Sequence, residues 1–188
     1  MPRRQPLPEP AGLKAPAGRR RVLAAAVACW AAPLALLSLP AAALEPARGK
    51  VVLTIRGRLG KPNRGAEAEF DMDMLAALPQ HSITQSTPWY PGPRKFTGPL
   101  LRDVLAAAGA SGRSVEAVAI NDYKVPIPVE DLHEHEVILA RLLDDQPMPV
   151  RDKGPLFIIY PFASNPKLRS SIYYSRSAWQ LRTLEVRP

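Results

Sequence analysis

The sequence contains a single cysteine, Cys29, which lies in a hydrophobic stretch near the N-terminus. Residues 44–188 therefore hold no thiol. This absence excludes disulfide bonds as a source of stability for that part of the chain. It also excludes metal sites there that depend on cysteine thiolates.

A basic stripe interleaved with aromatic residues is also missing. Six of the 25 Lys and Arg residues and one of the 17 Asp and Glu residues lie before residue 44. The 19 basic and 16 acidic residues that remain give a net charge of +3, against +8 for the whole chain, and they are scattered. The sequence therefore predicts no nucleic-acid partner.

Common catalytic and metal-binding motifs are absent as well. We find no Ser-His-Asp spacing, no glycine-rich phosphate loop and no zinc motif. The segment DLHEHE at residues 131–136 has two histidines, but its spacing supplies no third ligand. We interpret it as an exposed acidic turn before a strand, and we predict neither a metal site nor a catalytic residue.

The first 43 residues have the pattern of an export signal peptide. A basic region ends at Arg19–Arg21, an apolar stretch follows over residues 22–39, and three alanines occupy positions 41–43. We predict cleavage before Leu44. The paired arginines also resemble a twin-arginine signal, so both that route and general secretion stay open.

Two prolines, Pro33 and Pro40, bear on whether the apolar stretch is an anchor. Pro33 interrupts and Pro40 ends an alanine-rich segment that is barely long enough to span a bilayer. The pattern therefore favours a cleaved signal over a membrane anchor. We therefore predict a periplasmic or secreted protein whose residues 44–188 form one domain. At 145 residues this part of the chain is long enough for one hydrophobic core.

Residues 44–188 have the pattern of many short strands with few helices. Alternation predicts a strand at 51–56, Asp71 predicts the start of a short helix, and residues 88–93 have the three prolines of a rigid loop. Helical spacing of apolar residues predicts the best helix, over 100–108 and ending at Gly109. The remaining predicted strands are 81–87, 115–120, 124–128, 137–143, 156–160 and 179–186. The fold class predicted is β-rich α+β.

Five segments occur in an order that resembles a known family: FTGPLLRDVLAAAG, NDYKVPIP, VILA, RDKGPLFIIYP and AWQL. The chain resembles the sulfite-oxidase-type molybdopterin-binding domain. The resemblance implies that fold, with many short strands and a few short helices. It also implies molybdopterin as the cofactor and oxidoreductase activity.

The resemblance implies a place for the molybdenum ligand. In the family, a strand and loop that carry a ligating cysteine precede the helix that Phe96, Gly98 and Leu101 match. Here the preceding residues Thr84 to Trp89 contain no cysteine. Ser86 and Thr87 are the nearest candidates for the vacated position, and Trp89 is a candidate for holding the cofactor.

Other candidate binding residues follow from the same comparison. Tyr123 matches a pocket residue of the family, and a core tyrosine is the alternative reading. Arg151, Lys153 and Arg176 are candidates for holding an anionic ligand, since guanidinium and ammonium groups suit phosphate and carboxylate. The alternative for these three is a solvated charged rim.

The sequence also departs from the family at three polar positions. Lys153 stands where a histidine is common, Phe157 near the place of a cofactor-binding arginine, and Ala178 where a basic residue precedes tryptophan. Each departure weakens a polar or cationic feature of the site.

Three functions follow as hypotheses. The first is a binding or accessory domain without a thiolate ligand, for which we predict no bound cofactor. The second is an active oxidoreductase with non-cysteine metal ligation, which would bind molybdopterin. The third is a periplasmic module that senses a small anion. We predict a membrane redox protein or a membrane sensor protein as the partner of this domain.

Overall fold

The computed structural model describes residues 43–188, and the predicted leader lies outside them. The described part contains eleven strands and four helices, joined by turns. The strands are β1 (Val51–Gly57), β2 (Ala68–Asp71), β3 (Gln80–Thr87), β4 (Tyr90–Pro99), β5 (Ser114–Ala119), β6 (Lys124–Pro128), β7 (Ile138–Ala140), β8 (Leu142–Leu143), β9 (Gln146–Pro147), β10 (Phe157–Ile159) and β11 (Leu181–Arg187). The helices are α1 (Met72–Ala77), α2 (Leu101–Ala107), α3 (Val129–Glu134) and α4 (Ser171–Arg176).

The largest sheet has five strands in the order β2-β1-β11-β5-β6. The first and last strands of the domain, β1 and β11, pair in parallel, with Ile55 opposite Leu184. The other pairs in this sheet are antiparallel. The parallel pair joins the two ends of the domain at the middle of its main sheet.

The alternation predicted for residues 51–56 is confirmed. Leu53 and Ile55 are fully buried in the larger of two hydrophobic clusters. Their neighbours Val52 and Thr54 are only partly buried, as expected for a strand with one face against the core.

A second sheet, β3-β4-β8-β9, and the pair β7-β10 surround a smaller cluster. This cluster includes Phe96 and Phe157, whose rings meet edge to face at 6.1 Å between centroids. Trp89 packs against both clusters. It therefore lies where the two parts of the core meet.

The helix predicted over 100–108 is confirmed as α2, which buries Leu101, Val104 and Leu105. Gly109 follows it at a φ of +63°, a conformation that glycine adopts without steric cost. The helix predicted after Asp71 is also confirmed. The Asp71 carboxylate accepts the backbone N–H of Met74 and so caps α1.

The prediction of a rigid loop at 88–93 was wrong for most of its length. Strand β4 begins at Tyr90 and pairs with β3 through to Pro99. Only Phe96 and Thr97 also pair with β8 on the other side, so Pro91 and Pro93 lie where β4 has a single neighbour. A proline has no backbone N–H to donate, and at these positions no strand on the other side of β4 would accept one. The strand therefore tolerates proline here.

The prediction of an exposed acidic turn at 131–136 was also wrong in part. Asp131 and Leu132 belong to α3 and are buried. Asp131 is tolerated in the interior because its carboxylate is paired and hydrogen-bonded. Helix α4 was not predicted, because SIYYSR has no apolar spacing over a full turn.

The other predicted strands are confirmed with small differences in their ends, whereas β2 and β9 were not predicted. Residues 137–143 were expected to form one strand, but they divide at Arg141 into β7 and β8, which join different sheets. Asp122, Asp144 and Asp145 adopt positive φ values in the turns that follow β5 and β8, a conformation that Asp tolerates better than most residues. Together these elements confirm a β-rich α+β domain.

None of the helices within residues 43–188 is long and apolar enough to cross a membrane.

Candidate functional site

The end of strand β3 presents its side chains alternately to the interior and to solvent. Ser82, Thr84 and Ser86 are exposed, whereas Gln85 is only 4% exposed and Thr87 is half-buried. This is the period of two that a strand imposes. The end of β3 therefore places the amide of Gln85 and the hydroxyl of Thr87 toward the interior.

Gln85 uses its amide to hold the end of β3 against the segment after β10. Its Nε2 donates to the carbonyl oxygen of Tyr160 at 2.8 Å. Its Oε1 accepts the backbone N–H of Ala163 at 3.1 Å. Because both ends of the buried amide are satisfied within the protein, Gln85 shapes the site and has little capacity left for a ligand.

The first cavity, which we call the polar cavity, has a volume of about 470 Å³. It is lined by Gln85, Ser86, Thr87, Pro88, Phe162, Ala163, Arg169 and Tyr174. Arg169 is oriented here by a 2.9 Å hydrogen bond from its Nε to the carbonyl oxygen of Phe162. Thr87 Oγ1 is buried and has no hydrogen-bond partner, the one such side-chain atom in residues 43–188.

The second cavity, which we call the aromatic cavity, has a volume of about 270 Å³. It is lined by Trp89, Ala119, Asn121, Tyr123, Tyr174, Ser175, Ser177 and Trp179. The ring of Trp89 lies edge to face with Trp179 and Tyr174, at centroid distances of 6.2 and 5.9 Å. The hydroxyl of Tyr123 donates a 3.0 Å hydrogen bond to the carbonyl oxygen of Ser175, another residue of the lining.

The two cavities are neighbours. Tyr174 lines both of them, and the consecutive residues Pro88 and Trp89 line one each. We call the pair the cleft. The residues that line the cleft come from the end of β3 and the turn after it, from the end of β5 and the turn to β6, from the segment after β10, and from α4 and the residues after it.

Helix α4 is held in place by a charged pair. Arg176 Nη1 donates to Asp131 Oδ2 of α3 at 2.7 Å, and the hydroxyl of Tyr160 donates to the same oxygen at 2.7 Å. Burial raises the pKa of Tyr160 far above its ordinary value, and the hydrogen bond to the Asp131 carboxylate raises it further. Tyr160 therefore stays a neutral donor at any physiological pH.

The structure places four of the seven predicted site residues in the cleft. Ser86 and Thr87 line the polar cavity, and Trp89 and Tyr123 line the aromatic cavity.

The three predicted cations do not line either cavity. Arg151 is exposed in the 3₁₀ turn Val150–Asp152. The ammonium of Lys153 lies 4.6 Å from the ring centroid of Tyr90. Arg176 is engaged by Asp131. Their role in binding an anion stays a prediction.

Residue-by-residue reading of the sequence missed Gln85, Arg169 and Tyr174 as site residues. A signal existed for Gln85, because it lies two residues after Ile83 on the predicted strand 81–87 and so shares its inward face. Arg169 and Tyr174 follow a segment with no regular period, so nothing local indicated which cavity they would reach.

Comparisons with known proteins bear on this domain. The model of the oxidoreductase molybdopterin binding domain family matches residues 46–165, more than half of the chain. The chain belongs to this family. A comparison with curated proteins gave no match.

A solved structure that the domain resembles is the sulfane dehydrogenase SoxCD from Paracoccus pantotrophus, with a TM-score of 0.53 and 16% sequence identity. The match covers 72% of this chain and 37% of the SoxCD chain, so this chain spans little more than a third of that length. At this identity the likeness shows the shared fold alone.

The family implies a molybdopterin cofactor, so the donor atoms of the cleft decide what this member could hold. Its described walls offer hydroxyl and amide oxygens, aromatic rings and one guanidinium group, and no sulfur. Residues 43–188 also contain no group of three or more His, Cys, Asp or Glu side chains placed to hold a metal ion. These donors do not fit a molybdenum centre held by a protein thiolate, because hydroxyl and amide oxygens are hard ligands.

Proposed function

We propose that this chain is an exported member of the oxidoreductase molybdopterin binding domain family that acts as a binding or accessory domain. It would bind its ligand in the cleft without a molybdenum–thiolate bond. The observation that carries this proposal is the donor set of the cleft, in which Ser86, Thr87 and Gln85 occupy the end of β3.

The chemistry of the ligands supports this assignment. A thiolate is a soft, strongly donating ligand, and its replacement by a neutral oxygen changes both the geometry and the reduction potential of a bound metal. Gln85, the most buried side chain at this end of β3, already has both ends of its amide hydrogen-bonded. A fold that keeps the cleft but changes the donors can serve a different purpose, because function depends on the site more than on the fold.

Elemental analysis for molybdenum tests the proposal. The full chain would be expressed in a host that makes molybdopterin, and a cysteine-containing family member would be expressed beside it. We expect the control to carry molybdenum and this protein to carry none. Molybdenum near one atom per chain would contradict the proposal.

Export is supported by the pattern of residues 1–43. The test is intact-mass analysis of the protein recovered from the periplasm. We expect a polypeptide that begins at Leu44. A protein that keeps residues 1–43 in the membrane fraction would show that the segment serves as an anchor.

A second candidate is a working molybdopterin oxidoreductase with an oxygen ligand to the metal. The observation in its favour is that Thr87 lines the polar cavity beside Ser86 and that its buried Oγ1 has no hydrogen-bond partner. This candidate predicts near-stoichiometric molybdenum that falls sharply in Thr87→Ala or Ser86→Ala.

A third candidate is a sensor of a small anion that reports to a membrane partner. The observation in its favour is Arg169, which lines the polar cavity, whose lining includes no acidic side chain. This candidate predicts that anions raise the melting temperature of the protein, since a ligand that binds only the folded state stabilises it.

A further inference from the structure

We propose that two copies of this chain pair through the free side of strand β3, antiparallel and with Ile83 on the two-fold axis between them. The pairing would join the sheet β3-β4-β8-β9 of each copy into one continuous sheet. This inference goes beyond the proposed function and does not depend on what the cleft binds. It follows from the backbone groups of β3 that the fold leaves without a strand partner.

The backbone N–H and C=O groups of Ser82 and Thr84 point away from β4. Thr84 lies opposite Lys95, whose backbone N–H and C=O both bond to Asp144 on the β8 side. Ser82 lies opposite Thr97, whose carbonyl oxygen also accepts a hydrogen bond on the β8 side. In an antiparallel pair, residues that do not exchange hydrogen bonds with each other both direct their backbone groups outward. Ser82 and Thr84 therefore direct theirs to the free side of β3.

Two prolines of β4 agree with this alternation. Ser86 lies opposite Pro93 and Gln80 lies opposite Pro99, and neither proline has an N–H to donate to β3. Because Gln80 and Ser86 are spaced from Ser82 and Thr84 by two residues, their backbone groups also point outward. The register of β3 with β4 is unbroken from Gln80 to Ser86 and shifts only after Ser86.

We call the outward backbone groups of Ser82, Thr84 and Ser86 the open edge. Within residues 43–188 these groups make no hydrogen bond, and β4 is the one strand that pairs with β3. The side chains of the three residues are exposed as well. A regular row of free N–H and C=O groups is a template for a further strand.

The other sheet edges in the described part of the chain are protected by length, charge or proline. Strand β6 has five residues, of which Pro126 and Pro128 cannot donate a hydrogen bond. Strand β2 has four residues and carries Glu69, and β9 has only two residues. Natural proteins protect edges by these means. Strand β3 has eight residues and contains neither proline nor any Lys, Arg, Asp or Glu.

The open edge is complementary to itself. With Ile83 on the axis, Ser82 of each copy lies opposite Thr84 of the other, and Gln80 lies opposite Ser86. Both residues of each pair direct their backbone groups at the partner strand, so up to about eight hydrogen bonds form. A shift of one residue would set the open edge against residues whose backbone groups already bond to β4.

The side chains of β3 favour a second copy over an unrelated strand. Ile83 is the one large apolar residue of β3, and it is only partly buried against the smaller cluster. On the axis it would meet Ile83 of the second copy in the position where cross-strand side chains lie closest. On the other face, the hydroxyls of Ser82 and Thr84 would meet, a pairing that stabilises sheets.

The charges beside the open edge do not oppose this pairing. Lys95 and Arg94 are the cations of β4 that lie opposite β3. Lys95 is paired with Asp145 and Arg94 with Asp144. Two copies therefore approach without bringing uncompensated like charges together.

Sedimentation equilibrium of the purified protein tests the proposal. We expect a monomer–dimer equilibrium with a dissociation constant of about 1–100 μM, because the pairing of one strand from each copy buries less surface than a standard interface. A protein that stays monomeric at about 1 mM would overturn the proposal, whether or not the open edge accepts a strand from another protein.

Thr84→Pro removes one N–H from the open edge and no hydrogen bond to β4, so an edge strand tolerates it. We expect it to raise the dissociation constant at least about tenfold. The matched control is Thr84→Ala, which keeps the N–H and should change the dissociation constant by less than about threefold. Equal dissociation constants for the two variants would overturn the use of this edge.

A charge pair on the exposed face tests the register without a proline. Ser82→Lys combined with Thr84→Lys sets like charges opposite each other across the axis, and we expect a monomer. Ser82→Lys combined with Thr84→Glu sets opposite charges there, and we expect the dimer to persist. Circular dichroism checks that both variants fold. The same oligomeric state for both would overturn the register.

Ile83→Cys tests the axis directly, in a background with Cys29→Ser so that no other thiol is present. Two residues opposite each other at a non-hydrogen-bonded position have Cβ atoms about 4.5–5.5 Å apart, from which small shifts reach disulfide geometry. We expect oxidation to give a covalent dimer. The control is Ser111→Cys, an exposed position after α2 and outside β3, which should give little. Equal cross-linking of the two variants would show random collision and overturn the proposed axis.

Discussion

Arg176 and Asp131 join two helices through a short ion pair, with Nη1 of the arginine 2.7 Å from Oδ2 of the aspartate. The side chains are 22% and 11% exposed, so the pair is mostly removed from water. It ties α4 to α3. Since Tyr174 of α4 lines both cavities, the pair also determines where the wall of the cleft stands.

We expect Asp131→Asn to destabilise the protein by about 1–3 kcal/mol, because it leaves the mostly buried charge of Arg176 without a counter-charge. The figure is below that for a fully buried pair, since the guanidinium keeps some contact with water. The change in the free energy of unfolding is measured by urea denaturation, with circular dichroism as the signal.

The matched control for this change is Asp145→Asn. Asp145 pairs with Lys95 at 2.8 Å, but the side chains are 63% and 42% exposed. Asparagine also accepts the positive φ of this position. We expect a change below about 1 kcal/mol. If the two variants lost equal amounts of stability, the burial of the Asp131–Arg176 pair would make no extra contribution to the free energy of unfolding.

Asp71 makes the stability of the domain dependent on pH. The backbone N–H of Met74 and those of Gly49 and Arg48 donate to its carboxylate and hold the pKa below its ordinary value of 3.8. A lowered pKa in the folded state means that the stabilisation is fully present above 3.8 and is lost as the pH falls through the lower, folded value.

We therefore expect Asp71→Asn to show a smaller loss of stability on acidification than the unaltered protein, measured as the urea midpoint between about pH 5 and about pH 2.5. The control is Asp73→Asn, which removes a neighbouring carboxylate that caps no helix. An identical acid profile for Asp71→Asn and the unaltered protein would contradict the role of this cap.

Most of the fold could be predicted because its signals are local. The alternation of Leu53 and Ile55 and the helical spacing of Leu101, Val104 and Leu105 each depend on neighbours within one element. The order of the five family segments predicted the overall fold into which these elements assemble. What local patterns could not show was that 137–143 divides between two sheets, since that depends on which strands lie beside it.

The cleft was predictable only in part, for a physical reason. Thr87 and Trp89 were predicted from the family resemblance, because they precede the helix that Phe96, Gly98 and Leu101 match. Tyr174 reaches the cleft because Asp131, far away in sequence, holds Arg176 and with it α4. Arg169 reaches it from the preceding 3₁₀ turn, where its Nε donates to the carbonyl oxygen of Phe162. A charge placed by long-range packing is not visible in local spacing, which is why the predicted cations were different ones.

Gly98 marks a close approach between β4 and β7. A Cβ built on Gly98 would lie 2.7 Å from the carbonyl carbon of Leu139 and 2.9 Å from Cα of Ala140, and still closer to the carbonyl oxygen of Leu139. Because these atoms are backbone, they cannot move aside cheaply. We expect Gly98→Ala to cost about 3 kcal/mol, measured by urea unfolding.

A control for Gly98→Ala is Gly60→Ala. Its Cβ would meet nothing nearer than the carbonyl oxygen of Gly109, at 3.4 Å, and its φ is not positive. We expect less than about 1 kcal/mol for this change. If both substitutions cost the same, the loss would reflect replacement of glycine in general and not the contact between β4 and β7.

Thr87→Val should stabilise the unliganded protein by about 1 kcal/mol, because it replaces a buried hydroxyl that has no partner with a methyl group of the same shape. Thermal unfolding and urea unfolding both measure this. The control is Thr84→Val, the same change on the exposed face of the same strand, which should alter stability by less than about 0.5 kcal/mol.

The sign of the Thr87→Val effect decides between two explanations of this residue. A gain in stability would mean that the folded protein keeps the buried hydroxyl without a partner, at a cost in folding free energy. A loss would mean that the hydroxyl has a partner in solution, such as a bound water. Because Thr84→Val carries the same change in β-propensity, the difference between the two variants isolates the environment of the Thr87 hydroxyl.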